Sequence, residues 1–244
     1  MSKRQKNNRK SFQFEETADV IPFNPKFEKE RRLPPIQPKT QKQADYLHAI
    51  KTNSQVVVLG PAGTGKTFIP ATYAADQYRE KRIRKIIITR PNVPAGRSLG
   101  AFPGELEDKF GRWLKQIITD IQSRMGKAAF EIAVKRGDIE LIPFEVMRGQ
   151  SWDNAVVILD EAQNTLVEEM KMFLTRQGEN CTVVVNGDIS QDDLRQKADS
   201  GLKVMVDLIR KYELPVPVIE FEIDDIVRSG ECRMWVETFH REGL

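Results

Sequence analysis

A glycine-rich segment that ends in a lysine and a threonine is the part of the sequence best suited to chemistry. Residues 60–67 read GPAGTGKT and fit the pattern G-x-x-x-x-G-K-[ST] at every fixed position. Glycines let a backbone approach phosphate oxygens closely, and the N–H groups of such a loop bind those oxygens. Lys66 would reach the β- and γ-phosphates, and the Thr67 hydroxyl would bind Mg²⁺. We therefore predict an ATP site formed by Gly60, Pro61, Ala62, Gly63, Thr64, Gly65, Lys66 and Thr67.

Two adjacent acids, Asp160 and Glu161, directly follow a second apolar run at residues 155–159. An acid at the end of a buried strand is the expected partner of a phosphate-binding loop, and Asp160 would contribute to the Mg²⁺ shell. Glu161 would polarise a water for attack on the γ-phosphate. Two adjacent acids alone are also typical of a solvated turn or a helix N-cap, so this prediction depends on the glycine-rich loop elsewhere in the chain.

A third apolar run, at residues 182–186, ends in a polar residue, Asn186. Two further polar residues, Asp188 and Gln191, follow it. Polar side chains at the carboxyl end of a central strand face the same crevice as a phosphate-binding loop. One of these three would sense the γ-phosphate or position water. An ordinary turn explains the same residues, and the sequence leaves both interpretations open.

Apolar runs alternate with helical stretches from residue 40 onward. The predicted strands are residues 55–59, 85–89, 139–142, 155–159, 182–186 and 216–221. The predicted helices are residues 40–50, 65–80, 103–124, 128–136, 166–176, 201–212 and 224–240. Strands without polar alternation, each followed by a helix, indicate an α/β fold with a mainly parallel sheet and helices on both faces. We predict one such domain at residues 38–244, after a basic, proline-punctuated tail or linker at residues 1–37.

The positive charge of the chain is concentrated at its start. The 244 residues have a formal net charge of +3, yet the first ten contain five Lys or Arg and no acid. Such a segment binds phosphate backbones, or it is a disordered, solubilising end. The sequence contains no run of about 20 apolar residues and no signal-peptide core, so we expect no membrane contact and a cytoplasmic protein. Cys181 and Cys232 are far apart and suggest neither a disulfide framework nor a metal site.

Several longer segments make the sequence resemble the PhoH family of ATPases. They are GPAGTGKT, IIITRPNVPAGRSLGAFPGELEDKF, VMRGQSWDNAVVILDEAQNTLVEEMKMFLTRQG, VVVNGDISQDDL and DDIVRS. The similarity extends from about residue 38 to residue 237. It implies a RecA-like P-loop NTPase fold, ATP binding and a relation to the N-terminal motor domain of superfamily 1 helicases. It also implies a link to phosphate starvation and to RNA metabolism.

The resemblance implies roles for residues outside the glycine-rich loop. Gln43 resembles a helicase glutamine that reads adenine, and a side-chain amide can bond the edge of a base in two places. Gln191, in GDISQ, would link the state of the γ-phosphate to a bound strand, and Arg228, in DDIVRS, would contact that phosphate. Residues 89–96 correspond to a motif that touches a nucleic-acid backbone. The candidate strand contacts on this loop are Arg90, Asn92 and Arg97.

The chain departs from a complete superfamily 1 helicase because it has one motor domain, whereas the second domain of such a helicase supplies arginines to the ATP. A second positive group would come from Arg228 of the same chain or from a neighbouring subunit. Arg148 and Arg176 are the other candidates. We therefore expect a ring-like homo-oligomer. Trp152 is expected to anchor the core in preference to stacking on a base.

Together these features predict helicase-like, Mg²⁺-dependent ATP hydrolysis coupled to binding or remodelling of single-stranded nucleic acid, RNA in preference to DNA. A non-motor, ATP-dependent switch or scaffold is the first alternative, and Glu161 argues against it because a pure binder gains nothing from a water-polarising base. A P-loop phosphotransferase is the second. Adjacent acids placed for water activation suit hydrolysis better than protection of a phosphoryl group. No nuclease domain is expected before residue 38.

Overall fold

A computed structural model of the chain describes residues 33–91, 114–144, 147, 149, 151–190 and 200–242. The chain divides into two units, Met1–Leu33 and Pro34–Leu244, and every element named below belongs to the second. Of the predicted tail at residues 1–37, only residues 33–37 are among the described residues. The domain bounds at residues 38–244 stay a prediction.

The described residues alternate between strands and helices along the chain. The strands are β1 (Gln55–Leu59), β2 (Lys85–Arg90), β3 (Ile139–Pro143), β4 (Ala155–Leu159), β5 (Cys181–Gly187) and β6 (Val218–Glu220). The helices are α1 (Gln41–Thr52), α2 (Phe68–Arg79), α3 (Lys115–Met125), α4 (Lys127–Arg136), α5 (Val167–Leu174), α6 (Gly201–Lys211) and α7 (Gly230–Arg241). Short 3₁₀ turns lie at Ala162–Asn164 and Ile223–Asp225. Within the described part of the chain, no helix combines the length and the apolar character that crossing a bilayer requires.

The six strands form one sheet in the order β3-β2-β4-β5-β1-β6, and every pair is parallel. Strand β5 lies between β1 and β4, with Leu59 of β1 opposite Gly187 and Leu159 of β4 opposite Val185. The carboxyl ends of these three strands therefore reach the same edge of the sheet. The loops that follow them, which contain the candidate functional residues, meet at that edge.

Alternate residues along each strand pack on opposite faces of the sheet, as the two-residue period of a strand requires. On one face, Val157 of β4 belongs to a buried cluster with Phe173 of α5 and Met205 of α6. On the other face, its neighbour Ile158 belongs to a cluster with Ile121 of α3. Both faces of the sheet are covered by helices, which explains why its strands are apolar without alternation.

The predicted fold class is confirmed, because the sheet is parallel and helices cover both of its faces. The six strands lie within two residues of their predicted bounds. β6 is confined to Val218–Glu220, since Pro215 and Pro217 just before it have no N–H to donate to a ladder. The helix predicted at residues 103–124 begins at Lys115 in the described part of the chain, and residues 101–113 lie outside it.

The last helix begins later than the sequence pattern predicts, at Gly230 instead of residue 224. The intervening residues form the 3₁₀ turn Ile223–Asp225, in which the Glu222 N–H donates to the Asp225 carboxylate at 3.0 Å. This bond closes the turn as a capping box does, and the extended backbone of Ile226 (φ −69°, ψ 120°) then ends it. This turn sets the position of Arg228 just before α7.

Candidate functional site

The loop GPAGTGKT, residues 60–67, connects β1 to α2 in a conformation that depends on its glycines. Gly60 has a φ of +133°, and a Cβ added there would collide with the backbone oxygen of Phe221. Gly63 has a φ of +91°, and a Cβ there would come within 2.6 Å of the Arg228 Nε atom. The loop therefore lies closely against the segment that follows β6. A loop that has glycine at these positions, and so no Cβ atoms there, fits a phosphate-binding loop.

Lys66 points into the loop, where its ammonium group donates to the carbonyl oxygens of Gly60 and, at 2.7 Å, of Pro61. Burial lowers the pKa of Lys66, and the nearby carboxylates of Asp188, Glu161 and Asp160 oppose that shift. The cation is thus surrounded by neutral carbonyls with acids a short distance beyond. A bound phosphate would give this partly desolvated charge an anionic partner.

The metal-binding residues predicted from the two motifs lie in contact. The Thr67 hydroxyl donates to the Asp160 Oδ1 atom at 3.1 Å, although the two residues are 93 positions apart in sequence. Asp160 is buried at the end of β4, and burial, followed by the neighbouring Glu161 charge, raises its pKa. Arg90, the hydrogen bond from Thr67 and the Lys66 charge act in the opposite direction.

A hydroxyl and one carboxylate suit Mg²⁺ that also binds nucleotide phosphates. Among the described residues there is no group of three or more His, Cys, Asp or Glu side chains that would form a metal cage by itself. The chemistry of Thr67 and Asp160 therefore fits an ion that arrives with a nucleotide. The assignment of these residues to the metal stays a prediction.

Glu161 is bound by two neighbouring side chains and adopts a backbone conformation that is rare for a non-glycine residue. Its φ is +53°. Its Oε2 atom accepts a hydrogen bond from Gln163 Nε2 at 2.7 Å, and its Oε1 atom lies 3.5 Å from Arg90 Nη2. Left-handed backbone at a non-glycine residue persists only where surrounding contacts impose it, and such positions cluster at functional sites.

Gln163 links the loop after β4 to the loop after β5. Its amide N donates to Glu161, and its Oε1 atom accepts a hydrogen bond from the backbone N–H of Asp188 at 3.1 Å. The Asp188 carboxylate in turn accepts hydrogen bonds from the Ser190 N–H at 3.0 Å and the Ser190 hydroxyl at 2.6 Å. The two loops are thereby connected by side-chain hydrogen bonds. Gln163 had no role in the sequence-based prediction.

A cavity of about 300 Å³ opens between the glycine-rich loop and these acids. Lys66, Thr67, Asp160, Glu161, Asp188 and Arg228 all line it. The opposite wall comes from α3, whose Gln116 and Asp120 side chains also face the cavity. Gln116 Nε2 donates to Asp120 Oδ1 at 2.9 Å, and burial raises the pKa of Asp120. No motif in the sequence marked these two residues, because their helix enters the site through tertiary packing alone.

Gln43 lies against the glycine-rich loop, but its amide is bonded to protein backbone. Its Nε2 atom donates to the Thr64 carbonyl at 2.8 Å, and its Oε1 atom accepts from the Lys39 N–H at 2.8 Å. The residue is 5% exposed. In this conformation the amide supports the loop, and a contact with adenine stays a prediction.

The next turn of α1 places Tyr46 beneath the same loop. Its hydroxyl donates to the Lys66 carbonyl at 3.0 Å and lies 3.1 Å from the Asn186 side-chain amide on β5. The Asn186 NH₂ group is buried and has no other partner among the described residues. An amide orientation that turns this NH₂ group toward the tyrosine oxygen lets the Tyr46 hydroxyl donate to Lys66 and accept from Asn186. Asn186 therefore supports the loop from below and does not line the cavity.

The arginine candidates occupy different places. Arg228 lines the cavity of its own chain, and the N–H of Val227 donates to the Gly63 carbonyl at 3.0 Å. Arg176 follows α5, where its Nε atom contacts Met172 and its carbonyl accepts from the Trp152 N–H, and it does not line the cavity. Arg148 lies outside the described residues.

Of the candidate strand contacts, only Arg90 is described, and it lies beside Glu161. Asn92 and Arg97 lie outside the described residues, as does Gln191. Trp152 is 2% exposed and packs on Phe173 with ring centroids 5.0 Å apart, so it is a core residue. This result confirms the expectation that Trp152 anchors the core.

A parallel α/β sheet whose first strand leads into GPAGTGKT, with a strand-end acid in contact with the threonine of that loop, defines a P-loop nucleotide-binding protein. The chain belongs to the PhoH family. The family model described as "PhoH-like protein" matches residues 35–240. Protein PhoH of Escherichia coli (strain K12) is 39% identical over 211 residues, which cover 86% of this chain and 59% of that protein.

Two further relatives have the same relation to this chain. The PhoH-like protein of Bacillus subtilis (strain 168) is 39% identical over 207 residues, covering 85% of this chain and 65% of the relative. That of Mycobacterium tuberculosis (strain ATCC 25618 / H37Rv) is 40% identical over 211 residues, covering 86% of this chain and 60% of the relative. The chain thus spans 59–65% of the length of these three relatives. A solved Pif1 helicase from Candida albicans superposes with a TM-score of 0.39 at 16% identity, over 77% of this chain and 41% of that one, and this likeness adds nothing to the assignment.

Replacement Tyr46→Phe tests whether the tyrosine supports the glycine-rich loop. We expect the free energy of unfolding to fall by about 1–3 kcal/mol, because the buried Lys66 carbonyl and Asn186 amide lose a shared partner. Urea denaturation followed by circular dichroism measures the change. Tyr212→Phe is the matched control, since Tyr212 is 61% exposed and its loss should change stability by less than about 0.5 kcal/mol. Equal stability of Tyr46→Phe and the wild type would contradict the assigned role.

Proposed function

We propose that this chain is a Mg²⁺-dependent ATPase that couples hydrolysis to binding or remodelling of single-stranded nucleic acid, RNA in preference to DNA, in the cytoplasm. The observation that supports hydrolysis most strongly is the contact between Thr67 and Asp160 in the wall of a cavity. Lys66 and Glu161 line the same cavity. A cation, a metal-binding pair and a base are then grouped around one phosphate-sized space. This is the set of groups that phosphoryl transfer to water requires.

Each residue of the proposed site has a separate role. Backbone N–H groups of residues 60–67 bind the phosphates, and Lys66 offsets the charge on the β- and γ-phosphate oxygens. Thr67 and Asp160 would hold the metal, which would supply Lewis-acid stabilisation of those oxygens. Glu161 accepts a proton from the attacking water. Arg228 supplies the second positive charge, and such an arginine accelerates hydrolysis by roughly 10³- to 10⁵-fold in well-studied cases.

The strand-binding part of the proposal is supported by charge. Arg90 lies at the carboxyl edge of the sheet with its side chain 30% exposed, beside the nucleotide cavity. The first ten residues add five more positive charges to the chain. Positive groups follow a phosphate backbone without regard to base sequence, and their contribution weakens with salt.

Self-association is supported by an apolar surface on α7, the helix that follows Arg228. Trp235 and Phe239 stack with ring centroids 5.8 Å apart and are 56% and 50% exposed, and Met234 beside them is 52% exposed. Neighbouring apolar side chains of this size are typical of contact surfaces between proteins. We propose that this surface takes part in the contact between neighbouring copies of the chain in a ring-like oligomer.

An ATP-dependent switch or scaffold would need the same loop but no base. Glu161 lies in a strained conformation next to the metal-binding acid, and a protein that only binds nucleotide has no use for that arrangement. The same geometry disfavours a phosphotransferase, which must exclude water from the γ-phosphate. Hydrolysis therefore remains the function that the site supports best.

Replacement Lys66→Ala should weaken ATP binding at least about tenfold, because the phosphates lose their one cationic partner within the loop. Isothermal titration calorimetry with ATP and Mg²⁺ measures the affinity. Lys127→Ala is the control, since the Lys127 side chain is 79% exposed and pairs with Glu131 on α4. Unchanged affinity of the Lys66 variant would show that the nucleotide binds elsewhere.

Replacement Glu161→Gln should leave ATP bound and slow its turnover by roughly 10²- to 10⁴-fold, the range that a general base contributes. Release of inorganic phosphate measures the rate, and calorimetry confirms that binding is retained. A glutamine keeps the size of the side chain but accepts no proton. Turnover at the wild-type rate would place the base on another residue.

Mixing two inactive variants tests which subunit supplies the arginine. Arg228 lines the cavity of its own chain, so a mixture of Lys66→Ala and Arg228→Ala proteins should hydrolyse ATP no faster than the sum of the separate proteins. If Lys66 and Arg228 both act within one chain, every site in the mixture lacks one of them. Recovered turnover would show that Arg228 acts across a subunit boundary.

A further inference from the structure

Arg90 and Glu161 meet at the ends of two neighbouring strands. β2 and β4 pair in parallel, with Thr89 opposite Leu159, and the Asp160 N–H donates to the Thr89 carbonyl at 3.0 Å. Arg90 is the last residue of β2, Glu161 is the second residue after the end of β4, and Arg90 Nη2 lies 3.5 Å from Glu161 Oε1. The register of the sheet therefore places the two residues side by side.

Both oxygens of the Glu161 carboxylate have partners in this arrangement. Oε1 faces Arg90, and Oε2 accepts the 2.7 Å hydrogen bond from Gln163. A general base must direct a lone pair at the water that it deprotonates, so the direction in which the carboxylate points decides whether it can act. The two contacts hold the Glu161 carboxylate in one orientation, directed at Arg90 and Gln163.

Arg90 is accessible to a second partner. Its side chain is 30% exposed, and that of Glu161 is 35% exposed, so an anion from solvent can reach the guanidinium group. Phosphodiesters bind guanidinium in a two-pronged geometry, and arginine is the preferred side chain for them. At 3.5 Å the contact with Glu161 is looser than a good charge-assisted hydrogen bond, so a strand phosphate competes well for Arg90.

We propose that Arg90 is a positioning residue that restrains Glu161 until the phosphate backbone of a single strand binds Arg90. The strand then draws the guanidinium away from Oε1, and the carboxylate turns to the attacking water. Hydrolysis would in this way depend on nucleic acid through one ion pair. The inference rests on the proposed function, because it assigns Glu161 as the base and a single strand as the partner.

Steady-state ATP turnover with and without single strands tests the restraint. Arg90→Met removes the charge and keeps the length of the side chain. We expect its strand-free turnover to rise roughly two- to five-fold, the factor that a partly exposed ion pair supplies, and its stimulation by oligo(U) or oligo(dT) to fall toward one. Arg90→Lys keeps a positive charge and should restore the low strand-free rate. Arg82→Met, which breaks the exposed 3.1 Å pair of Arg82 with Glu80, should change neither quantity.

Two outcomes would overturn the inference. Strand-free turnover of a folded Arg90→Met protein at or below the wild-type rate would show that the pair restrains nothing. Lost stimulation with an unchanged strand-free rate would make Arg90 a strand contact and no more. The oligo(U) and oligo(dT) arms show whether RNA or DNA is the better partner.

Strand affinity gives a second readout that depends on linkage between the two sites. If Glu161 and a strand compete for Arg90, then Glu161→Gln should tighten binding of a fluorescent oligo(U) roughly two- to five-fold in fluorescence anisotropy without nucleotide. The same replacement in an Arg90→Met background should have no effect. Equal tightening in both backgrounds would mean that removal of a negative charge acts without Arg90, and it would contradict the proposal.

The same measurements distinguish failure of the inference from failure of the proposed function. Wild-type turnover that no single strand changes, together with no strand binding, would overturn the strand-coupled function. The strand-free rate of Arg90→Met would still decide whether the ion pair restrains Glu161. Stimulated wild-type turnover with an unaltered Arg90→Met protein would leave the function in place and remove the assigned role of Arg90.

Discussion

The hydrogen bond between Thr67 and Asp160 is the interaction on which the rest of the site depends. It joins the loop after β1 to the end of β4, although β5 lies between those two strands in the sheet. The bond forms only because all three strands are parallel and end at one edge. A change in strand order or register would separate the glycine-rich loop from the acid that is proposed to share its metal. The proposed nucleotide site therefore depends on this one contact.

Around that contact the protein has gathered more charge than a buried region usually contains. Lys66, Asp160 and Asp188 are largely removed from water, and Arg90 and Glu161 lie partly exposed at the rim. Buried charges are tolerated when they are paired and hydrogen-bonded. Backbone carbonyls bond Lys66, Thr67 bonds Asp160, and Gln163 and Ser190 bond the remaining acids. These partners keep the site assembled and leave its groups directed at a common space, which is the preorganisation that phosphoryl transfer requires.

The sequence predicted the sheet, the glycine-rich loop and the acid at the end of β4, because each of them depends on a short-range pattern. Apolar runs predicted the six strands, and GPAGTGKT with its strand-end acid predicted that Thr67 and Asp160 lie together, as they do, while their roles stay predictions. The sequence did not reveal the wall formed by Gln116 and Asp120 or the bridge formed by Gln163. Those residues reach the site by packing of a distant helix or by one hydrogen bond between loops. No periodicity or spacing records such contacts, and the same reason explains why the Arg90–Glu161 pair was not foreseen.

The central claim is that the loop at residues 60–67 and Asp160 together bind a metal–triphosphate complex. A crystal structure of this chain with Mg²⁺ and a non-hydrolysable ATP analogue tests it most directly. The account predicts the β- and γ-phosphates inside the loop beside Lys66, and the ion bound to the Thr67 hydroxyl on the side that faces Asp160. An analogue bound outside the loop, or an ion that contacts neither Thr67 nor the Asp160 carboxylate even through water, would contradict the claim.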